Sequence, residues 1–107
     1  MSRNHSRPVW HDGRLTDVAF DHRSVTLTID LVPHYNGGSF CVATARVTGI
    51  QNVEEARAFF ASLPHPTVAA PLGVLDVRTE GDAVGLHLSV GSEARSFRFV
   101  GARLKAE

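Results

Sequence analysis

A chain of 107 residues that is 43% hydrophobic and 21% charged has the size and composition of one globular domain, which excludes a disordered or fibrous chain. Eleven basic side chains against eleven acidic ones leave no net charge, so the broad attraction behind non-specific nucleic-acid binding is missing. Cys41 is the single cysteine, which rules out an intrachain disulfide and a thiolate metal cage.

Residues 1–8 are polar and aperiodic and read as a disordered tail, followed by a single β-rich domain over 9–107. The N-terminus has no apolar core of the signal-peptide kind, and no apolar run approaches membrane-spanning length. The expectation is a soluble, cytoplasmic protein that touches neither membrane nor nucleic acid.

Ordered structure begins at Val9 and Trp10. Val18 and Phe20 alternate with Asp17 and Ala19, and Leu15, out of phase with them, predicts a twist or bulge near Gly13. After a turn at Asp21-His22-Arg23-Ser24, Val25, Leu27, Ile29 and Leu31 alternate with Thr26, Thr28 and Asp30, a strand with one buried face. Asn36-Gly37 can supply the positive φ angles of a tight hairpin turn. A third strand over 40–48 is apolar on both faces, and its small residues Cys41, Ala43 and Ala45 invite the next element to cover it.

That element is a helix. Asn52 and Glu55 form a box-like cap, Val53, Ala56, Phe60 and Leu63 share a face, and Pro64 ends it. Three turns are too few for independent stability, so the helix must dock on the sheet. A proline-stiffened crossing over 64–71 leads to strands at 72–78, 84–90 and 95–100, with turns at Glu80-Gly81-Asp82 and Gly91-Ser92-Glu93. Residues 101–107 either extend the last strand or fray. The order β-β-β-α-β-β-β with short connections predicts an α+β fold, mainly antiparallel β: a six-stranded curled sheet or partial barrel with one helix. Leu27, Ile29, Phe60, Val84, Leu86 and Leu88 are expected to be buried together.

Chemistry is sparse in this pattern. His11-Asp12 pairs an imidazole with a carboxylate, as general bases and metal ligands require, but neighbours in a strand point to opposite faces. Only a turn at Gly13 would bring the two together. The six histidines include no His-x-His or His-x3-His spacing, and read as scattered rather than as metal ligands. Ser39, Ser62 and Ser92 lack a nucleophile elbow, Cys41 reads as an inert buried thiol, and Gly37-Gly38 is too short to cradle phosphate. No catalytic residue, metal or cofactor is expected. Trp10 and Tyr35 are either interface aromatics or, for Trp10, a lid on the core. Arg95, Arg98, Arg103 and Lys105 form a modest basic edge of the kind that keeps an edge strand from pairing.

Trp10-His11-Asp12-Gly13-Arg14-Leu15, the strand Val25–Leu31, and the later strand ending in Gly49-Ile50-Gln51-Asn52-Val53 resemble a broad set of small bacterial β-rich proteins with an aromatic-His-Asp motif. Some of these resemble immunity proteins of bacterial polymorphic toxin systems, which neutralise a toxin by binding it. The resemblance covers the first half of the chain and implies a protein partner. Three functions follow as expectations. The first is a non-catalytic protein-interaction module that binds through Trp10, His11, Asp12, His34 and Tyr35 or through an edge strand. The second is a small-ligand-binding or hydrolytic domain around His11 and Asp12. The third is a homo-oligomeric structural protein, in the simplest case a homodimer.

Overall fold

A computed structural model describes residues 8–38 and 41–106. The tail expected at the N-terminus therefore falls outside the described residues except for Pro8, and so does the start of the third strand at Phe40. Among the described residues, seven strands form one antiparallel sheet. They are β1 (Gly13–Asp21), β2 (Ser24–Leu31), β3 (Cys41–Thr48), β4 (Leu72–Glu80), β5 (Ala83–Val90), β6 (Glu93–Val100) and β7 (Arg103–Ala106), with one α-helix, α1 (Val53–Ala61), between β3 and β4. The sheet order is β6-β5-β4-β1-β2-β3-β7.

The strand beyond the six expected is β7. Gly101, with φ at +70°, and Ala102 break the run after β6 and turn the chain onto the free edge of β3, where Arg103–Ala106 pair with Ala45–Thr48. This corner dictates the overall shape. β6 and β7 lie at opposite ends of the strand order, yet two residues join them, a span of at most about 11 Å from Val100 to Arg103. The sheet must roll until its ends meet at that corner. It does not close, because β6 and β7 are not paired.

Rolling is concentrated where β1 meets β4. The two pair only over Gly13–Leu15 and Leu72–Val74, and each bulges at the next residue, Thr16 in β1 and Leu75 in β4. A bulge inserts an unpaired residue, bends its strand and increases twist. The bulge expected near Gly13 thus lies at Thr16, whose hydroxyl donates to the Thr28 carbonyl at 3.3 Å. It explains the phase change in β1: Leu15 is buried, and beyond the extra residue Val18 and Phe20 take over the inward face.

The core lies between the two wings, β1-β2-β3-β7 and β4-β5-β6. Leu27, Ile29, Val84, Leu86 and Leu88 are fully buried in one cluster, and the half-buried Phe60 packs against it. β2 keeps its alternation without exception. β3 has one buried face, carrying Ala43, Ala45 and Val47, whereas Val42 is 55% exposed. The helix does not cover β3 as expected, because Ile50 N–H donates to the Arg23 carbonyl and Gln51 N–H to the Val100 carbonyl, which carry the chain to the end of β6. There Asn52 makes no side-chain cap. Its amide donates to the Arg98 carbonyl at 3.0 Å and its oxygen accepts from Val100 N–H at 2.9 Å, as a further strand would. α1 then fills the gap between β1 and β6 with Phe59 and Phe60, whose rings meet Phe97, Phe99 and Phe20.

The β2–β3 connection is not the tight Asn-Gly hairpin expected. It begins with a 3-10 turn at Pro33–Tyr35, and Gly37 and Gly38 supply the positive φ angles. Asn36, at φ −129°, serves a different purpose.

Candidate functional site

Asn36 ties the N-terminal segment to this loop. Its side-chain oxygen accepts from Val9 N–H at 2.9 Å, and its amide donates to the carbonyls of Val9 and Val32 at 3.1 and 2.9 Å. The segment then turns sharply: Gly13 N–H donates to the Trp10 carbonyl, Asp12 adopts φ +63°, and Asp12 N–H donates to the Val74 carbonyl. This is the turn needed to bring His11 and Asp12 together, and His11 Nε2 lies 3.5 Å from Asp12 Oδ2. His11 Nδ1–H donates to the Leu75 carbonyl at 3.2 Å. The Tyr35 ring lies 6.0 Å from that of His11 and 5.3 Å from that of His34.

Four of the five candidate residues, His11, Asp12, His34 and Tyr35, therefore form a connected exposed rim. The fifth, Trp10, is 5% exposed and packs in the core beneath the rim. His11 Nδ1 is taken by a backbone carbonyl, and Nε2 faces the Asp12 carboxylate at 3.5 Å on the exposed side of the rim. No three His, Cys, Asp or Glu side chains converge as metal ligands among the described residues.

Beside the rim lies a cleft of about 770 Å³, lined by Trp10, His11, Leu75, Val77, Thr79 and Leu104 among others. It exists because the β1–β4 ladder stops at Val74 while β4 runs on to Glu80. Beyond Val74 that side of β4 has no strand partner among the described residues, and β7 stands across the gap. Val77 N–H points into this gap and is taken by the Asp76 carboxylate at 2.9 Å. Backbone groups alternate sides along a strand, so those of Thr79 face the same gap. Asp12 lines a separate, smaller hollow of about 310 Å³ with Leu72–Leu75 and Ser89.

A second cluster, on the outer face of β4-β5-β6, went unseen in the sequence, where His87 passed as one of the scattered histidines. Glu80, 19% exposed, lies back across Gly85 and takes Arg78 Nε at 2.9 Å, His87 Nε2 at 3.2 Å and Arg98 Nη2 at 3.6 Å. His87 Nδ1 lies 2.9 Å from the Ser96 hydroxyl. A Cβ at Gly85 would collide with the Glu80 carboxyl as it lies here, so this path needs a glycine. The hydrogen bond from Arg78, then that from His87, holds the Glu80 carboxyl below the usual carboxylate range. Turn length was the available signal. The two-residue turns Gly81-Asp82 and Gly91-Ser92 set the registers that place Arg78 beside Gly85 beside Arg98, and His87 beside Ser96.

Comparison with known proteins finds no family model, no curated protein and no solved structure that matches this chain. Among the described residues no helix is long and apolar enough to cross a membrane. Function must be argued from the sites themselves.

Proposed function

We propose that the chain is a protein-interaction module, of the immunity-like kind its first half resembles, which receives an extended segment of a partner protein along the free edge of β4. The observation that carries this reading is the stretch Asp76–Thr79, a strand edge without a strand partner among the described residues, facing a cleft of about 770 Å³. Strand addition draws affinity from main-chain hydrogen bonds and specificity from alternate side chains in flanking pockets. Thr79 presents its backbone groups, Leu75, Val77 and Leu104 supply apolar wall, and His11 with Tyr35 and His34 forms a polar aromatic rim. Asp76 guards the edge by occupying Val77 N–H, a common way to keep an edge from pairing indiscriminately, and yields that donor to an incoming carbonyl. The rim binds and does no chemistry.

The experiment selects peptides on the protein from a random display library and tests one of them with Thr79→Pro. Proline at 79 removes an edge N–H and leaves the β5 ladder intact, because that N–H faces away from β5. Thr79→Pro and methylation of alternate peptide amides are each expected to weaken binding at least tenfold. Selected peptides that bind Thr79→Pro unchanged, or that tolerate methylation at every amide, would overturn the strand-addition reading.

A further inference from the structure

The Glu80–His87–Ser96 chain is arranged as more than a surface ladder. An ionised carboxylate only accepts hydrogen bonds, so the nitrogen facing Glu80, Nε2 of His87, must carry a proton. In the neutral imidazole the other nitrogen, Nδ1, then offers a lone pair, and it lies 2.9 Å from Ser96 Oγ. Ser96 therefore donates its proton to a ring whose tautomer is fixed from behind by a carboxylate. That is the relation of nucleophile, base and orienting acid that activates a serine, recognised by geometry and roles rather than by sequence order. The hydrogen bond from Arg78 favours the ionised form of that carboxylate, and Arg98 Nη2 lies 3.6 Å from its other oxygen. Gly85 lies inside β5, where glycine disfavours the strand, and it opens the path by which Glu80 reaches the ring.

Ser96 also carries its own oxyanion donor. β6 is an end strand of the sheet, and Asn52 bonds the Arg98 carbonyl and Val100 N–H on its outer side. Backbone groups of alternate residues share a side, so Ser96 N–H faces the same outer edge, away from β5 and without a ladder partner. A carbonyl carbon attacked by Ser96 Oγ at that edge can set its developing oxyanion against this N–H.

We propose that Ser96 is a nucleophile, with His87 as its base and Glu80 as a positioning residue, and that the outer face of β6 accepts acyl groups from activated esters. Ser96 Oγ attacks the ester carbonyl and its proton passes to His87 Nδ1. The C–O bond to the leaving group breaks, and His87 returns the proton to the departing oxygen, leaving Ser96 acylated. Water then attacks the acyl carbon and gives a proton to His87 Nδ1. The bond from that carbon to Ser96 Oγ breaks, and His87 returns the proton to Oγ, which frees the serine and releases a carboxylic acid. No cofactor or redox partner is needed. The site is separate from the cleft and does not depend on strand addition there.

The test treats the full chain with an alkyl fluorophosphonate and follows the adduct by intact-mass and peptide mass spectrometry. One label per chain at Ser96 is expected, at least tenfold faster than at Ser92, which is also exposed. Labelling at 96 should vanish in Ser96→Ala and slow at least tenfold in His87→Ala, in variants whose circular-dichroism spectra match wild type. For Glu80→Gln the 15N resonances of the His87 ring separate positioning from mere stability: wild type should show a protonated Nε2 and bare Nδ1, and the variant a mixture of tautomers with slower labelling. A Ser96 that reacts no faster than Ser92, or equally fast in His87→Ala, would reduce the cluster to a structural ladder and overturn the proposal.

Discussion

The rolled sheet leaves two gaps, one on each side of the three-residue β1–β4 ladder, and the chain treats them differently. On one side β1 runs on beyond the ladder, and α1 fills the space with an aromatic stack of Phe20, Phe59, Phe60, Phe97 and Phe99. On the other side β4 runs on, and the space remains a cleft with a strand edge along one wall. The same bend thus generates one packed seam and one open seam. A seam sealed by apolar area contributes stability, whereas a seam left with unpaired backbone contributes a place for something else to bind.

Substitutions can break or sharpen this contrast. Ile29 is fully buried in the core between the wings, and Ile29→Ala is expected to cost about 3 kcal/mol, within the 2–5 typical of such truncations, in urea unfolding. A loss under about 1 kcal/mol would remove β2 from the centre of the core. Phe60→Ala, in the packed seam, should cost roughly 2 kcal/mol, less than a fully buried ring because Phe60 is half-buried. Asn52→Ala removes two bonds to the β6 edge and should cost about 1–2 kcal/mol. If Asn52 acted only as a helix cap, Asn52→Ser would restore that loss. The strand-like pairing implies that serine, too short to reach both Arg98 and Val100, does not. Leu75→Ala, in the open seam and 36% exposed, should change stability by no more than about 0.5 kcal/mol.

The smallest effect is one of pH. The Glu80 carboxyl is held below its ordinary range in the fold, so its contribution to stability is present at neutral pH, above the unfolded value, and is lost as pH falls through the lowered folded value. Glu80→Gln should therefore be slightly less stable than wild type at pH 7, and the difference should shrink to nothing in acid. A difference that persisted unchanged at low pH would mean that the charge of Glu80 plays no part.

Local pattern made much of this legible. The strict alternation of Val25, Leu27, Ile29 and Leu31, the apolar face of α1 and the two glycine turns each follow from near neighbours. What could not be read depends on contacts distant in sequence. Asn52 looks like a cap until β6, some 46 residues away, offers it a strand edge. Residues 103–106 become a strand only because the roll brings β3 beside them. His11 and Asp12 meet because Asp12 takes a left-handed backbone conformation against Val74, which their sequence spacing does not reveal. The cleft itself belongs to no segment, being the place where one ladder stops short.

Amide hydrogen exchange at Thr79 tests the open seam most directly, followed in the free protein and with the display-selected peptide. Thr79 N–H should exchange freely in the protein alone, while Arg78, bonded to β5, is protected, and the peptide should slow Thr79 at least tenfold. A Thr79 amide already protected in the free protein, or one left unchanged while the peptide binds, would contradict a cleft built to receive a strand.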